Sequence, residues 1–410
     1  MEKRYNAVVG QSGGPTCAIN ATLAGVIRGA MNAEGINKIY GMKNGVEGFL
    51  NEELIELDGY FENKENLELL CMTPAAALGS CRLKLKEDEQ LNKIFEIIEK
   101  YSIKYFFYIG GNDSMDSVEK LEKYKKEHPE NNPLNTMFIG VPKTIDNDLQ
   151  GTDHTPGFGS AAKFISCSMQ EIARDCAVYR QKAVTIVEIM GRDAGWLTAS
   201  SCLANVISNA GPDLIYLPEK PFSTEDFIDS LKALLAKPDK NSVIVAVSEG
   251  IRDKDGNYVA KAAMSGAVDI FGHAYLAGTG KYLENLVRSE IGCKCRSVEL
   301  NVLQRCASHI ASKTDIDESF MVGKAAVEVA LEGKSGKFML LVREEAEGYK
   351  TSVSYTDIEL VANKVKNVPD SFITSDGKNV TEACVKYLRP LIEGECCVRY
   401  KDGLPVHFCF

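Results

Sequence analysis

The 410-residue sequence is poor in histidine, in basic charge and in long apolar runs, and each shortage excludes something. Five histidines, His128, His154, His273, His309 and His407, form no metal-ligand motif. Cys293-Lys294-Cys295 and Cys396-Cys397 lack the paired spacing of a structural zinc site. Lys and Arg number 47 against 57 Asp and Glu, for a formal net charge of -10 and a pI near 5.3. A general nucleic-acid binder needs a basic excess or stripe, so none is expected here. Phosphate substrates stay open, because they need only a local cationic cluster. Met1–Gly10 carries charge but no apolar signal core, and no uninterrupted apolar run is long enough to span a bilayer. No membrane partner is therefore expected. The 13 cysteines are odd in number and scattered, the pattern of reduced thiols, and a cytoplasmic location is expected. There is no short repeat, low-complexity tract or long charge run, and neither a P-loop nor a GxGxxG motif.

What remains is an ordinary globular composition, 25% charged and 45% hydrophobic, in a chain long enough for more than one compact unit. Apolar strand patterns alternate with helical ones. Strands are expected over Tyr5–Val9, Tyr105–Ile109, Thr136–Gly140, Ala183–Ile189, Val243–Val247 and Lys337–Val342. Helices are expected from Ala18 to about Met31, from about Met115 to Lys126 and from about Ala161 to Cys176. This alternation implies right-handed βαβ units and an α/β fold with mainly parallel sheets, two of them. A crossover between domains is expected near Gly151–Gly159.

One stretch concentrates chemistry: Val141-Pro142-Lys143-Thr144-Ile145-Asp146-Asn147-Asp148. It follows a buried strand pattern, so its polar residues fall beyond the carboxyl end of that strand, where open α/β sheets bind ligands. If it stays extended, Thr144, Asp146 and Asp148 share one face. One carboxylate there can take a proton from an alcohol while its neighbour holds a metal ion. The bland alternative is a turn, since Asn and Asp are common turn residues.

Glycine turns end other strands. Gly10-Gln11-Ser12-Gly13-Gly14 and Gly110-Gly111-Asn112-Asp113-Ser114 each sit between a strand and a helix. That arrangement binds anions through unpaired backbone N–H groups, though each is equally a tight turn that needs glycine. Asp113 is odd there, because it repels phosphate; a metal or a steric role is the candidate reason. Arg82 and a neighbouring lysine, Lys84 or Lys86, can supply cations. Met190-Gly191-Arg192 and Ser248-Glu249-Gly250 end two later strands, and Arg288, Arg296 and Arg305 add to the basic inventory.

Together, in order, these segments resemble the phosphofructokinase family. The likeness rests on Gly10–Asn20, Gly79–Arg82, Gly110–Ser114, Pro142–Asp148, Met190–Arg192, Ser248–Gly250 and Arg296–Arg305. It implies two doubly wound α/β domains with the active site in the cleft between them. The donor domain would comprise residues 1–155 with a return segment near 304–345. The fructose 6-phosphate domain would comprise 156–303 with the tail 346–410. By resemblance, Asp146 is the general base for the sugar 1-hydroxyl, with Thr144, Lys143 and Arg192 beside the reaction. Met190, Gly191, Arg192, Glu249, Arg296 and Arg305 hold fructose 6-phosphate, Arg296 from a neighbouring subunit. Gly13, Gly14, Arg82, Gly111, Asn112, Asp113, Ser114 and Lys143 form the phosphoryl-donor side. Asp148, Asp113 and, as a further candidate, Asn112 hold Mg2+.

ATP-dependent members of the family carry glycine where this chain has Asp113 and Lys143. The pair resembles the pyrophosphate-dependent branch, and implies reversible transfer between pyrophosphate and fructose 6-phosphate in glycolysis and gluconeogenesis. An ATP-dependent kinase, a non-catalytic sugar-phosphate sensor, and use of sedoheptulose 7-phosphate are the alternatives. The expected assembly is a homodimer or homotetramer. Three positions depart from the family: Asn112 replaces an aspartate, Asn301 and Val302 stand where a histidine is expected, and an arginine some seven residues before Met190 is missing, with Arg180 and Lys182 nearby.

Overall fold

In the computed structural model of the chain, which describes residues 4–86, 88–260 and 278–410, two sheets carry the long strands. Their strands are β1 (Tyr5–Gln11), β2 (Ile36–Met42), β3 (Leu54–Glu56), β4 (Ile103–Gly110), β5 (Met137–Pro142), β6 (Ala183–Ile189), β7 (Leu214–Tyr216), β8 (Ser242–Ser248), β9 (Lys294–Glu299), β10 (Lys337–Arg343) and β11 (Thr351–Asp357). The first sheet has the order β11-β10-β5-β4-β1-β2-β3. Its five central strands are parallel, and an antiparallel strand closes each edge. The second sheet, β7-β8-β6-β9, is parallel throughout. A two-stranded ribbon near the end, Tyr400–Lys401 with Leu404–Pro405, completes the strands.

The central strands are apolar on both faces because helices cover both sides of each sheet. All six residues of β5 are buried, as are seven of the eight in β4. Separate apolar clusters lie on the two faces of each sheet, around Phe107 and Phe106 in the first and around Val187 and Val245 in the second. The expected α/β architecture with mainly parallel sheets is what the chain adopts.

Helix Lys313–Leu331 brings the chain back to the first sheet, where it crosses helix Ile19–Met31. Two glycines make the crossing close. A Cβ on Gly25 would lie 2.1 Å from the Phe320 carbonyl oxygen, and one on Gly323 would lie 2.1 Å from that of Thr22. The return segment runs on past residue 345, because β11 pairs along the whole of β10. The tail then alternates between cores. Ile358, Val361 and Ala362 pack under the first sheet, Val368, Ile373, Cys384, Leu388 and Leu391 under the second, and Phe408 under the first again.

Two boundaries differ from expectation with a physical reason. Helix Asn112–Glu127 begins at Asn112 rather than near Met115, since Gly111 supplies the extended residue before its first turn. Residues 294–299, expected only as part of a basic stretch, form β9; as a partly exposed edge strand it has no continuous apolar run.

Candidate active site

The carboxyl ends of β1, β4, β5, β6 and β8 converge on a cleft of about 570 Å³. The turns named from the sequence line it, together with Lys143, Thr144, Asp146 and Asp148 from the stretch after β5.

At the end of β1, Gly13 has φ 77, a left-handed conformation that glycine adopts without strain. Its N–H donates to the Cys81 carbonyl at 3.1 Å, and the Ser80 hydroxyl donates to the Gly13 carbonyl at 2.7 Å. Those bonds bind the segment carrying Arg82 onto the glycine loop. Lys143 lies beneath the loop, 2% exposed, with its Nζ donating to the Gly14 carbonyl at 2.6 Å. Burial pushes its ammonium down to about 8, partly offset by the Asp146 charge. Beside the loop, the first turn of helix Asn112–Glu127 adds Asn112, Asp113 and Ser114 to the cleft lining. A helix N-terminus of this length suits an anion through its free amides and dipole.

Asp113 does not stand alone. Its Oδ1 pairs with Lys84 Nζ at 2.9 Å, so the lysine expected beside Arg82 is Lys84. Asn112 uses both ends of its amide on the C-terminal segment: Oδ1 accepts from Asn363 N at 2.6 Å, and Nδ2 donates to the Lys364 carbonyl at 2.8 Å.

The stretch after β5 is not extended. It bends at Ile145 and Asp146, and Asn147 sits at φ 54. Thr144, Asp146 and Asp148 still reach one cleft, through a turn rather than through strand alternation. The Thr144 hydroxyl accepts from Asp146 N at 3.1 Å and lies 3.4 Å from Asp146 Oδ2, which fixes the carboxylate. Burial raises the Asp146 carboxyl above the ordinary range, against the pull of Lys143. Burial and then the Asp146 charge raise Asp148 to about 7. Two crowded carboxylates of this kind favour a cation. Among the described residues no cluster of three or more His, Cys, Asp or Glu is placed to hold a metal alone. The carboxylate oxygens of Asp146 and Asp148 are hard donors, of the kind that would suit a hard divalent ion.

At the ends of β6 and β8, Gly191 has φ 129 and donates its N–H to Glu249 Oε1 at 3.3 Å. Burial raises Glu249 to about 7. A Cβ on Gly250 would lie 1.9 Å from the Arg192 carbonyl oxygen, so the glycine permits this approach. Arg192 enters the cleft with a buried Nε that has no hydrogen-bond partner, an orphan donor aimed where an anion is expected. Met190 N donates to Gln304 Oε1 at 3.2 Å, which ties the turn after β6 to the segment carrying Arg305. Arg305 Nη1 comes within 3.3 Å of where a Gly14 Cβ would lie, so it sits at the boundary of the two sides.

Arg296 does not line this cleft. It lies on the outer strand β9, paired with Asp175 at 2.8 Å and 3.3 Å from the Thr185 hydroxyl. Lys182, which donates to the Leu235 carbonyl, and Val302, 49% exposed, do not line this cleft either. His273 lies outside the described residues.

Sequence reasoning did not find Asp193, Asn363 or Val365, which also line the cleft. Asp193 pairs with Arg252 at 2.7 Å. Asn363 and Val365 arrive from the tail; Asn112 and its partner Lys364 are 252 positions apart, and no local signal joins them.

The geometry can be set beside known proteins. The family described as Phosphofructokinase matches residues 6–330. The pyrophosphate–fructose 6-phosphate 1-phosphotransferase of Xanthomonas campestris is 41% identical over 407 residues, covering 98% of this chain and 94% of its own. That of Halomonas elongata is 39% identical over 409 residues, covering 98% and 95%. The crystal structure of the pyrophosphate-dependent phosphofructokinase of Nitrosospira multiformis superposes with a TM-score of 0.87 at 36% identity, covering 98% of this chain and 95% of that one. A match across most of the chain, around a cleft built from its own strand ends, makes this protein a member of the phosphofructokinase family.

Proposed function

We propose that the protein transfers a phosphoryl group reversibly between pyrophosphate and the 1-hydroxyl of fructose 6-phosphate. The observation that carries this reading is Lys143, a buried cation directly under the Gly13–Gly14 loop, facing the donor side. Pyrophosphate has no nucleoside to hold, so its terminal phosphates need cations close by. Lys143, Arg82 and Lys84 line that side of the cleft, and Asp113 narrows it and opposes a further phosphate. The relatives named above act on this donor and acceptor by name.

In this reading Asp146 removes the proton from the 1-hydroxyl as the oxygen bonds to phosphorus. The bridging P–O bond of pyrophosphate breaks and phosphate leaves. Thr144 holds Asp146 in place. The chemical step needs alignment and charge neutralisation more than covalent catalysis. Gly13, Gly14, Gly111, Asn112, Asp113 and Ser114 bound the donor, and the amides of the second loop help bind its phosphates. Asp148 and Asp113, with Asn112 as a further candidate, would hold Mg2+, which would neutralise charge on the transferring phosphates. Met190, Gly191, Arg192 and Glu249 orient the sugar, and Arg305 reaches its phosphate. Arg296 faces outward, and in this reading serves the cleft of a neighbouring subunit in at least a homodimer. The first sheet with its return forms the donor domain, and the second sheet the sugar domain. Among the described residues no helix is long and apolar enough to cross a membrane, and all thirteen cysteines are free. The cytoplasm is the proposed setting.

Phosphorus NMR tests the reaction. With pyrophosphate and fructose 6-phosphate the protein should form fructose 1,6-bisphosphate and phosphate in equal amounts. Supplied with those products, it should regenerate pyrophosphate. Loss of pyrophosphate without a sugar bisphosphate would make it a hydrolase instead.

A further inference from the structure

The C-terminal segment around Val365 crosses from one core to the other along the cleft. Before it, Ile358, Val361 and Ala362 are anchored under the first sheet; after it, Val368 is anchored under the second. Asn363 and Val365 line the cleft between these anchors.

Three sets of bonds tie this crossing to the catalytic parts. Asn112, at the helix N-terminus on the donor side, grips the backbone of Asn363 and Lys364. Next, Lys366 N donates to the Asp148 carbonyl at 2.7 Å, and Gln150 Nε2 donates to the Val365 carbonyl at 2.7 Å. Lys366 Nζ donates to Asn147 Oδ1 at 3.2 Å and to the Thr152 and Asp153 carbonyls at 3.1 and 2.8 Å. Asn147, fully buried and left-handed, gives its Nδ2 to the Tyr387 hydroxyl at 3.1 Å. Finally, Trp196 Nε1 donates to the Lys366 carbonyl at 2.9 Å, which reaches the loop after Arg192.

We propose that Asn363–Val368 is a strap that sets the spacing of the donor turn, the catalytic turn and the sugar loop, with Lys366 and Gln150 as positioning residues. The strap touches all three, whereas the Asn147 turn has an unfavourable backbone conformation that must be held from outside. Lys366 supplies that hold through three acceptors on the turn and the loop that follows. It acts through Asn147 and Asp148 and does not line the cleft. Phosphoryl transfer tolerates misplacement poorly, so loosening the strap should slow chemistry more than binding. The inference rests on the phosphotransferase reading.

The test compares Lys366→Met and Gln150→Met with the full-length parent. For Lys366→Met, kcat should fall about 10- to 100-fold, with KM for fructose 6-phosphate and for the donor changed by less than about threefold. Gln150→Met removes one bond at a partly exposed side chain and should lower kcat about 3- to 10-fold in the same manner. Hydrogen exchange of the amides at 146–150 should quicken in both. Parental kcat in the folded variants would overturn the proposal, and so would a rise in KM without loss of kcat. If Lys366→Met does not fold, Gln150→Met decides. Ratios are taken with whichever of pyrophosphate and ATP supports turnover in the parent, so a wrong donor would count against the proposed function and not against the strap.

Discussion

Lys143 Nζ donates to the Gly14 carbonyl at 2.6 Å, so a cation is fixed under the Gly13–Gly14 loop. The bond joins the end of β5 to the turn after β1, two strands separated in the sheet by β4. A glycine at position 143 would leave that space empty and the loop without its charge. Lys143→Met keeps the bulk and removes the ammonium. It should lower kcat/KM for pyrophosphate by about 100- to 1000-fold, the scale of losing one charge-stabilising donor. Steady-state rates checked at saturating fructose 6-phosphate, with KM for the sugar nearly unchanged, would show that the loss is on the donor side.

Asp146→Ser removes the proposed base while leaving a small polar side chain in the turn. Turnover should fall at least about 100- to 10,000-fold, the range of general-base catalysis. Fructose 6-phosphate should still bind, as measured by calorimetry. Full activity in this variant would end the base assignment.

Gly250→Ala would place a methyl group against the Arg192 carbonyl oxygen, where the gap is 1.9 Å. Arg192 must then move. KM for fructose 6-phosphate should rise about tenfold, equivalent to ~1.4 kcal/mol of lost sugar binding, with donor KM unaffected. Titration of each substrate at saturation of the other checks this.

A buried ion network around His154 sets a pH dependence of stability. His154 Nδ1 and Nε2 meet Asp153 Oδ2 at 2.8 Å and Glu318 Oε2 at 2.7 Å. Arg343 also pairs with Asp153, while Tyr349 and Thr351 donate to Glu318. Burial opposes the imidazolium, but the two carboxylates outweigh it and raise the His154 pKa above 6.5. The stability His154 contributes is thus complete below about 6.5 and is lost as pH rises through the raised value. Asp153 and Glu318 are held below 3.8 and 4.5, chiefly by His154 against burial. Their contribution is present above those values and is lost as pH falls through the depressed ones. His154→Gln should therefore cost most between pH about 4.5 and 6.5, on the order of 3 kcal/mol. Denaturant unfolding of both proteins across pH 4 to 9 measures it, and a cost that grows above pH 7 would contradict the assignment.

Much of the site was legible because its residues sit in short runs at strand ends. Gly13, Lys143, Asp146 and Arg192 each follow an apolar strand pattern, and β-sheet topology brings such ends together. The pairing of Asp113 with Lys84 was only half legible: a basic run offered several lysines, and the fold selects one. The turn at Asn147 could not be distinguished from an extended segment by alternation alone. Strands β9 and β11 were hidden because exposed edge strands lack a continuous apolar signal. Asn363, Val365 and Lys366 were illegible for a different reason. Their meaning lies in contacts with Asn112 and Asn147, and sequence spacing carries no trace of those.

The donor is the central claim, and one comparison tests it most directly: kcat/KM for pyrophosphate and for ATP, measured on the same preparation with fructose 6-phosphate and magnesium. Lys143 beneath the glycine loop and Asp113 in the same cleft predict turnover with pyrophosphate and a preference over ATP of at least about 100-fold, ~2.7 kcal/mol of discrimination. Turnover with ATP alone would contradict it.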